Sequence, residues 1–469
     1  MDDALPPPLV KSAAVFIAGL VLRIWLIHAF PIVFGGDSVL RLANRDHILL
    51  SYQLPLLQVL IYGVSLISQS LLVIRCLMAI IGATAGIGFY WLIRSFVSER
   101  TAFIAALLFT ANPFLVEISI VPYQELLMLA GLLFAFQYFL REQQVATSIS
   151  LAVACLARFE AWIAVPLFAV ARARNVAALA RACLLFGWAP LAWVLFHVGL
   201  SGPGTFVIEW PTSLGRLMRW VYLGWITVKN TPAPALALAL AGFWHVCRKH
   251  LLRDARVRLL AGFLGLFLMA ILFSSHGVSP NPERFVASRE ATILIAATLG
   301  LAALGLEELV GSPHPWLASM LVVLGLTWSV VDVHRFLRRD TGDPHLQLSY
   351  QLAQYLDRSA GKEEKILILV KPLPEDMIQE YLDRVRLRQG EAGVARAKQI
   401  MAGMDISPPD CQRTIIHSRI GKPRMSCSGD PADKEWIAVW SDSGSIISTE
   451  PRVLRTTLRS GPLSVQVYR

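Results

Sequence analysis

The sequence predicts a polytopic α-helical membrane protein that ends in a small α/β domain. Three observations carry that expectation. Hydrophobic residues make up 55% of the 469 positions and charged ones only 16%, outside the range of ordinary soluble chains. Apolar windows long enough to cross roughly 30 Å of hydrocarbon as helices recur through the first 335 residues. Beyond residue 340 the pattern changes to short strand-like runs.

The opening MDDALPPPLVK is not a basic leader, and no small-residue cleavage pattern follows the first apolar stretch, so the first span is expected to remain as an anchor. Eleven windows read as spans: 12–30, 71–93, 101–118, 125–140, 143–157, 160–171, 177–199, 232–247, 259–275, 290–306 and 315–333. The stretch 54–67, LPLLQVLIYGVSLI, is apolar but short and carries an early proline, which suits an interfacial or re-entrant helix better than a span.

Lysines and arginines of short loops are retained on the cytoplasmic side. With the amino terminus inside, the inner connections hold Arg94 and Arg100, then Arg141, then Arg172, Arg174 and Arg181, then Arg248, Lys249, Arg253, Arg256 and Arg258. The connection 307–314 departs from this, since Glu307 and Glu308 stand there without a basic neighbour, though acids weigh little in the rule. The outer face then receives loop 31–70, the turns 119–124 and 158–159, loops 200–231 and 276–289, and everything after 334. That arrangement belongs to a multi-pass protein of the cell's inner (plasma) membrane. The net charge of +10 calls for no nucleic acid, because much of it sits in inner loops beside anionic lipid.

Two modules are expected: a membrane module over 1–335 and an extracytoplasmic α/β domain over 340–469. The tail pairs a helical pattern, LQLSYQLAQYLDRS, with strand-like runs ILILV at 366–370, WIAVW at 436–440 and LSVQVY at 463–468. Cys76, Cys155, Cys183 and Cys247 lie in apolar spans and read as small core residues. Cys411 and Cys427 are the only pair in the tail, and an oxidising outer compartment would permit a disulfide between them. No zinc spacing, Gly-rich phosphate loop or C-x-x-C is present, and no internal repeat marks a transporter built from duplicated halves.

Few polar residues stand in or beside the spans. Asp37 lies in the island FGGDSVLRLANRD after the first span, behind two glycines that permit close approach of a ligand. Glu125 opens the fourth span from the same side, and Arg158 and Glu160 stand where the fifth and sixth spans meet at ARFEAW. Three acids and an arginine from separate elements thus converge on one membrane depth. Glu125 and Glu160 also fit a plain helix-dipole role in first turns, and Asp37 a plain turn residue. An ionisable side chain aimed between helices is nevertheless a functional-site candidate by default. Arg75 near the outer end of its span has snorkelling to headgroups as its alternative, whereas Arg23, midway through the first span, needs a partner. His276 reads as polar loop surface.

These residues carry a resemblance. The first-loop aspartate, the proline-bearing amphipathic YQLPLLQVLI, the small-residue second span IRCLMAIIGATAGIGFYWLIRSFVSER, then TANPFLVEISIVPYQE and ARFEAW occur in an order that resembles the multi-span GT-C glycosyltransferases. That superfamily uses polyprenyl-phosphate sugars and includes protein O-mannosyltransferases and the aminoarabinose transferases of lipid A. The likeness covers about residues 11–200, and more weakly NPERFVASREATILIA at 281–296. It implies Asp37 as the catalytic base, Glu125 as the second-loop acid preceded by Tyr123, and Arg158 with Glu160 as a basic-acidic pair. Arg284 matches the arginine that meets the lipid phosphate. The family often shows His-Pro-Pro where this chain has Gln53-Leu54-Pro55, and a second acid where it has Ser38.

The chemistry follows without the family. A sugar on a lipid phosphate already has a good leaving group, so what remains is to activate the acceptor hydroxyl and stabilise the leaving charge. One carboxylate can take the proton, and arginines can hold the phosphate bidentately. Such a single displacement inverts the anomeric centre. Asp37 is the expected base and Arg158 and Arg284 the expected phosphate ligands, with Arg75 and Arg289 behind them. A divalent metal between Asp37 and Glu125 suits carboxylate chemistry, but two acids from distant segments do not define a site, and no metal ligand or cofactor is assigned. The expected partners are a polyprenyl-phosphate sugar donor, a lipid, glycan or protein acceptor, and the membrane. The competing class is a transporter or lipid flippase in which the same acids bind protons or cations; clustering at one face, instead of along a path through the membrane, weighs against it. A third is a non-catalytic scaffold for the tail.

Overall fold

The structure, a computed structural model, describes residues 9–30, 41–42, 48, 54–68, 70–201, 213–273, 291–341 and 351, and the strand residues 366–370, 425–426, 436–441, 454–460 and 463–468. The chain divides into two compact units, one of residues 1–28, 48–60 and 75–334, the other of 29–47, 61–74 and 335–469.

The helices run in order α1 (Leu9–Ala29), α2 (Leu56–Ile67), α3 (Leu71–Ile93), α4 (Glu99–Thr110), α5 (Pro113–Ile118), α6 (Glu125–Leu140) and α7 (Gln144–Ala157). They continue with α8 (Ala164–Arg172), α9 (Val176–Ser201), α10 (Ser213–Lys229), α11 (Ala233–Arg248), α12 (Ala255–Phe273), α13 (Thr292–Val310) and α14 (Pro315–Thr341). Among the described residues, α1, α3, α9, α13 and α14 are long and apolar enough to cross a membrane, and α2, α6, α7 and α11 are apolar but shorter. This is a helical membrane protein. The short helix expected over 54–67 is present as α2, and α3 and α6 coincide with windows 71–93 and 125–140.

The structure differs from the sequence reading in several places. The window 160–171 opens as a 3-10 turn, Phe159–Ile163, and only nine residues follow as α8. Cys183 and Cys247, expected in the core, are exposed. The window 101–118 is not one helix: α4 stops at Thr110, and Asn112 caps α5, its Oδ1 accepting from Leu115 N at 3.1 Å with Pro113 in the first turn. Proline has no N–H to donate and suits that position, so the chain restarts there. The segment 200–231, read as a loop, contains α10. Its sequence, SLGRLMRWVYLGWITVK, mixes apolar and basic residues at helical spacing and is too polar for a hydropathy window. Trp220 on α10 donates to the Leu268 carbonyl of α12 at 2.8 Å.

Side-chain bonds sort the first unit into two ends. At one, Lys11 donates to Glu99, Arg94 lies 3.5 Å from the same carboxylate, Ser98 donates to Glu307 at 2.7 Å, and His245 Nδ1 pairs with Glu308 at 2.8 Å. The Lys11 hydrogen bond is the main reason the Glu99 carboxyl is held below its usual range. Arg256 donates to the Ser95 carbonyl at 3.0 Å at this end, and to Asp254, whose carboxyl it likewise holds low. At the other end, Arg75 donates to the Ile120 carbonyl at 2.8 Å and Asn112 Nδ2 to the Asn230 carbonyl at 3.1 Å.

Between the ends the packing is apolar and close. A Cβ on Gly242 of α11 would stand 1.9 Å from the Leu301 carbonyl oxygen, and one on Gly305 of α13 would stand 2.0 Å from that of Leu238, so both glycines are required by a backbone-to-backbone crossing. Arg23 is a charged residue buried among the helices. Fully buried on α1, it donates from Nε to Ser119 Oγ at 2.7 Å and from Nη1 to the carbonyls of Gly19 at 3.1 Å and Thr110 at 3.3 Å. The Thr110 carbonyl is one that the break at Asn112 leaves without a helical donor.

In the second unit the described tail residues form one sheet, ordered β2-β1-β3-β5-β4, of β1 (Ile366–Val370), β2 (Met425–Ser426), β3 (Trp436–Ser441), β4 (Leu454–Ser460) and β5 (Leu463–Tyr468). β1 runs parallel to β2 and to β3, with Ile366 opposite Trp436; β5 runs antiparallel to β3 and β4. The three expected strand runs are β1, β3 and β5. The helical pattern at 346–359 lies outside the described residues apart from Gln351.

Candidate functional site

The site grows from two turns at one end of the first unit. After α5 the chain passes Ser119 and Ile120 and reaches Tyr123, which is buried, before Gln124 starts α6. Glu125 therefore occupies the first turn, where the dipole favours an acid, and its side chain is 1% exposed. The second turn follows α7. Arg158 is extended at φ −148° and ψ 147°, and a 3-10 turn, Phe159–Ile163, leads into α8. The indole of Trp162 reaches back to the Cys155 carbonyl at 2.9 Å, covering an orphan acceptor of the last turn of α7 and fixing the turn.

These turns bring three of the expected residues into one cluster. Arg158 Nη1 lies 2.5 Å from Glu125 Oε1, Nε lies 3.0 Å from both oxygens of Glu160, and Nη2 donates to Glu160 Oε1. All three guanidinium nitrogens thus meet carboxylates. The Arg158 side chain is 14% exposed and that of Glu160 19%, so the cluster opens on the Glu160 side while Glu125 is enclosed. Among the described residues no group of three or more His, Cys, Asp or Glu could hold a metal, and Arg158 already supplies positive charge between Glu125 and Glu160.

Arg75, buried on α3, does not reach for headgroups. Its guanidinium binds the Ile120 carbonyl at 2.8 Å and the Ile27 carbonyl at 3.5 Å, tying the end of α1 to the turn that precedes Glu125. Asp37, Arg284 and Arg289 lie outside the described residues, as do Cys411 and Cys427. The sequence reading assigned no role to Arg41, which belongs to the same polar island as Asp37 and is buried. An arginine four residues after a candidate base was the available signal.

No family model matches the sequence, and no curated protein does. Solved structures do resemble it. The crystal structure of ArnT from Cupriavidus metallidurans bound to undecaprenyl phosphate aligns over 97% of both chains with a TM-score of 0.55 at 12% identity. The apo form of the same protein aligns over 97% of both chains with a TM-score of 0.53 at 13% identity. At these identities what the chains share is the fold, and the fold expected from the ordered motifs is the one found.

Proposed function

We propose that this protein transfers a sugar from a polyprenyl-phosphate carrier to an acceptor at the extracytoplasmic face of the inner membrane, with inversion at the anomeric carbon. The observation that carries the reading is the fold shared end to end with a protein crystallised with undecaprenyl phosphate. The Glu125–Arg158–Glu160 cluster supports it, because it sets acid and guanidinium at one end of the unit where a lipid-held phosphate meets water.

In this reading Asp37 is the general base that takes the acceptor proton, and the departing polyprenyl phosphate needs no acid. Arg158 and Arg284 hold the phosphate, with Arg75 and Arg289 behind them. Arg158 meets a phosphate only after releasing a carboxylate, and the more exposed Glu160 is the one to yield. Glu125 stays bound and orients the guanidinium, and Tyr123 lines the approach. The tail over 340–469 is an extracytoplasmic α/β domain, a reading supported by the parallel pairing of β1 with β3, which requires a crossover connection. A Cys411–Cys427 bridge would staple it.

The test is thin-layer analysis of purified protein incubated with a panel of radiolabelled undecaprenyl- and dolichyl-phosphate sugars in vesicles. Label should move from one donor class to a new product of inverted anomeric configuration. No transfer from any donor, with lipid or label crossing the bilayer instead, would establish the transporter reading.

A further inference from the structure

A cavity of about 420 Å³ lies among α3, α6, α11, α12 and α13, and it belongs to no part of the site just described. Every side chain lining it is Phe, Leu, Ile, Val, Ala, Cys or Gly. A wall without hydroxyl, amide or charge excludes sugar, phosphate and ordered water, because polar ligands need convergent polar groups. A hydrocarbon suits it: an engineered apolar cavity of about 150 Å³ stays dry and takes up benzene, so this one has room for a longer chain. Small residues keep one wall back, since Ala296, Ala297 and Gly300 line it, and a Cβ on Gly300 would meet only Ile93 Cδ1, at 3.5 Å.

The mouth has the opposite chemistry. Phe243 and Leu252 both line the cavity and are exposed, at 57% and 52%, so it opens outward beside the α11–α12 connection. That connection reads RKHLLRDARVR from Arg248 to Arg258, and its Arg and Lys side chains are exposed. Its single acid, Asp254, is bound by Arg256. Arg256 also lies 5.8 Å from the ring centroid of Phe96, another lining residue, which places cationic charge directly at the hydrocarbon entrance. Through the Arg256–Ser95 bond this mouth belongs to the end of Glu99, Glu307 and Glu308, away from Glu125 and Arg158.

We infer that this cavity is a binding site for one acyl chain of an anionic phospholipid, whose phosphate headgroup rests on the basic connection 248–258. The occupant is a membrane lipid and not the sugar carrier, because the basic residues that would meet its headgroup stand at this end, whereas the function proposed above, on which this distinction rests, puts the carrier phosphate at the other. Basic residues beside an anionic membrane surface are each worth roughly fivefold in affinity, so a zwitterionic lipid with the same chains binds less well.

Native mass spectrometry of the full chain, with matched phosphatidylglycerol and phosphatidylcholine added in detergent, tests this. Phosphatidylglycerol should be retained about tenfold more strongly, and replacing both Arg253 and Arg258 by Gln should reduce that preference several-fold while leaving weak binding of both lipids; an unchanged preference in this variant overturns the headgroup assignment. Gly300→Phe should fill the cavity and remove phosphatidylglycerol without lowering the melting temperature. Equal retention of the two lipids by the wild-type chain, or undiminished retention by a folded Gly300→Phe chain, overturns the inference. If that variant does not fold, a phosphatidylglycerol with a photoreactive acyl chain decides on the wild-type protein: labelling at 243–264 or 293–304 upholds the site, and labelling elsewhere refutes it. Undecaprenyl phosphate displacing phosphatidylglycerol from those same positions would show that the cavity serves the carrier and would equally refute it.

Discussion

Arg158 Nη1 stands 2.5 Å from Glu125 Oε1, joining the residue after α7 to the first turn of α6. The Glu125 side chain is 1% exposed. Arg158→Ala removes that contact and should destabilise, by at most about 3–5 kcal/mol, the penalty for breaking a buried pair. Adding Glu125→Gln should restore much of that loss. Thermal unfolding in detergent measures both, and a double variant no more stable than the single would contradict the pairing.

Glu160 competes with any anion for the same guanidinium. Glu160→Gln removes that competitor, and a hydrogen bond to a charged group is worth about 1.5–3 kcal/mol. Binding of undecaprenyl phosphate should tighten by roughly tenfold or more, read by fluorescence competition or calorimetry. Weaker binding would mean that Glu160 itself contacts the donor.

Loss of a positioned base costs roughly a hundredfold to ten-thousandfold in rate. Asp37→Asn should lower turnover by about that factor while donor binding survives, and Arg284→Ala should chiefly weaken donor binding. Near-normal turnover in the Asp37→Asn protein would transfer the role to Glu125.

The crossing of α11 and α13 leaves no volume for a side chain. Gly305→Ala and Gly242→Ala should each destabilise by about 1–3 kcal/mol or more, since the nearby atoms are backbone and cannot turn aside. Gly265→Ala is the control. No heavy atom lies within 4 Å of its added Cβ, and alanine there should be neutral or stabilising by up to about 1 kcal/mol.

The Glu99 carboxyl is depressed, first by its hydrogen bond from Lys11. A depressed carboxyl contributes stability that is present above its unfolded value and is lost as pH falls through the folded one. Glu99→Gln should accordingly be less stable than wild type at pH 7, with the gap closing as the medium is acidified below the ordinary carboxylate range. A gap that is constant with pH would assign the loss to packing.

Much of this fold was legible because hydropathy over about twenty residues reports burial in lipid directly. The limits of α3 and α6 follow from it. The break at Asn112-Pro113 was written in TANPF, yet both halves are apolar, and a window average passes over a cap. α10 was missed for the opposite reason, its basic residues hiding a helical period. Strand β4, LRTTLRS, escaped because its polar residues carry no burial signal. At the site, the sequence placed Glu125, Arg158 and Glu160 at one depth. That a single guanidinium binds both acids depends on the extended backbone at Arg158, which no propensity dictates.

Arg23 has a consequence for biogenesis. Its partners Thr110 and Ser119 follow it by 87 and 96 residues, so the ribosome delivers α1 long before these acceptors. At about 5–20 residues per second that interval lasts roughly 5–20 s. An arginine at the centre of a helix raises insertion free energy by about 2.5–3.5 kcal/mol. During that interval α1 is held by its apolar side chains, Phe16 and Trp25 among them, and a polar chaperoning surface beside the nascent helix would shelter Arg23 until α4 and α5 emerge.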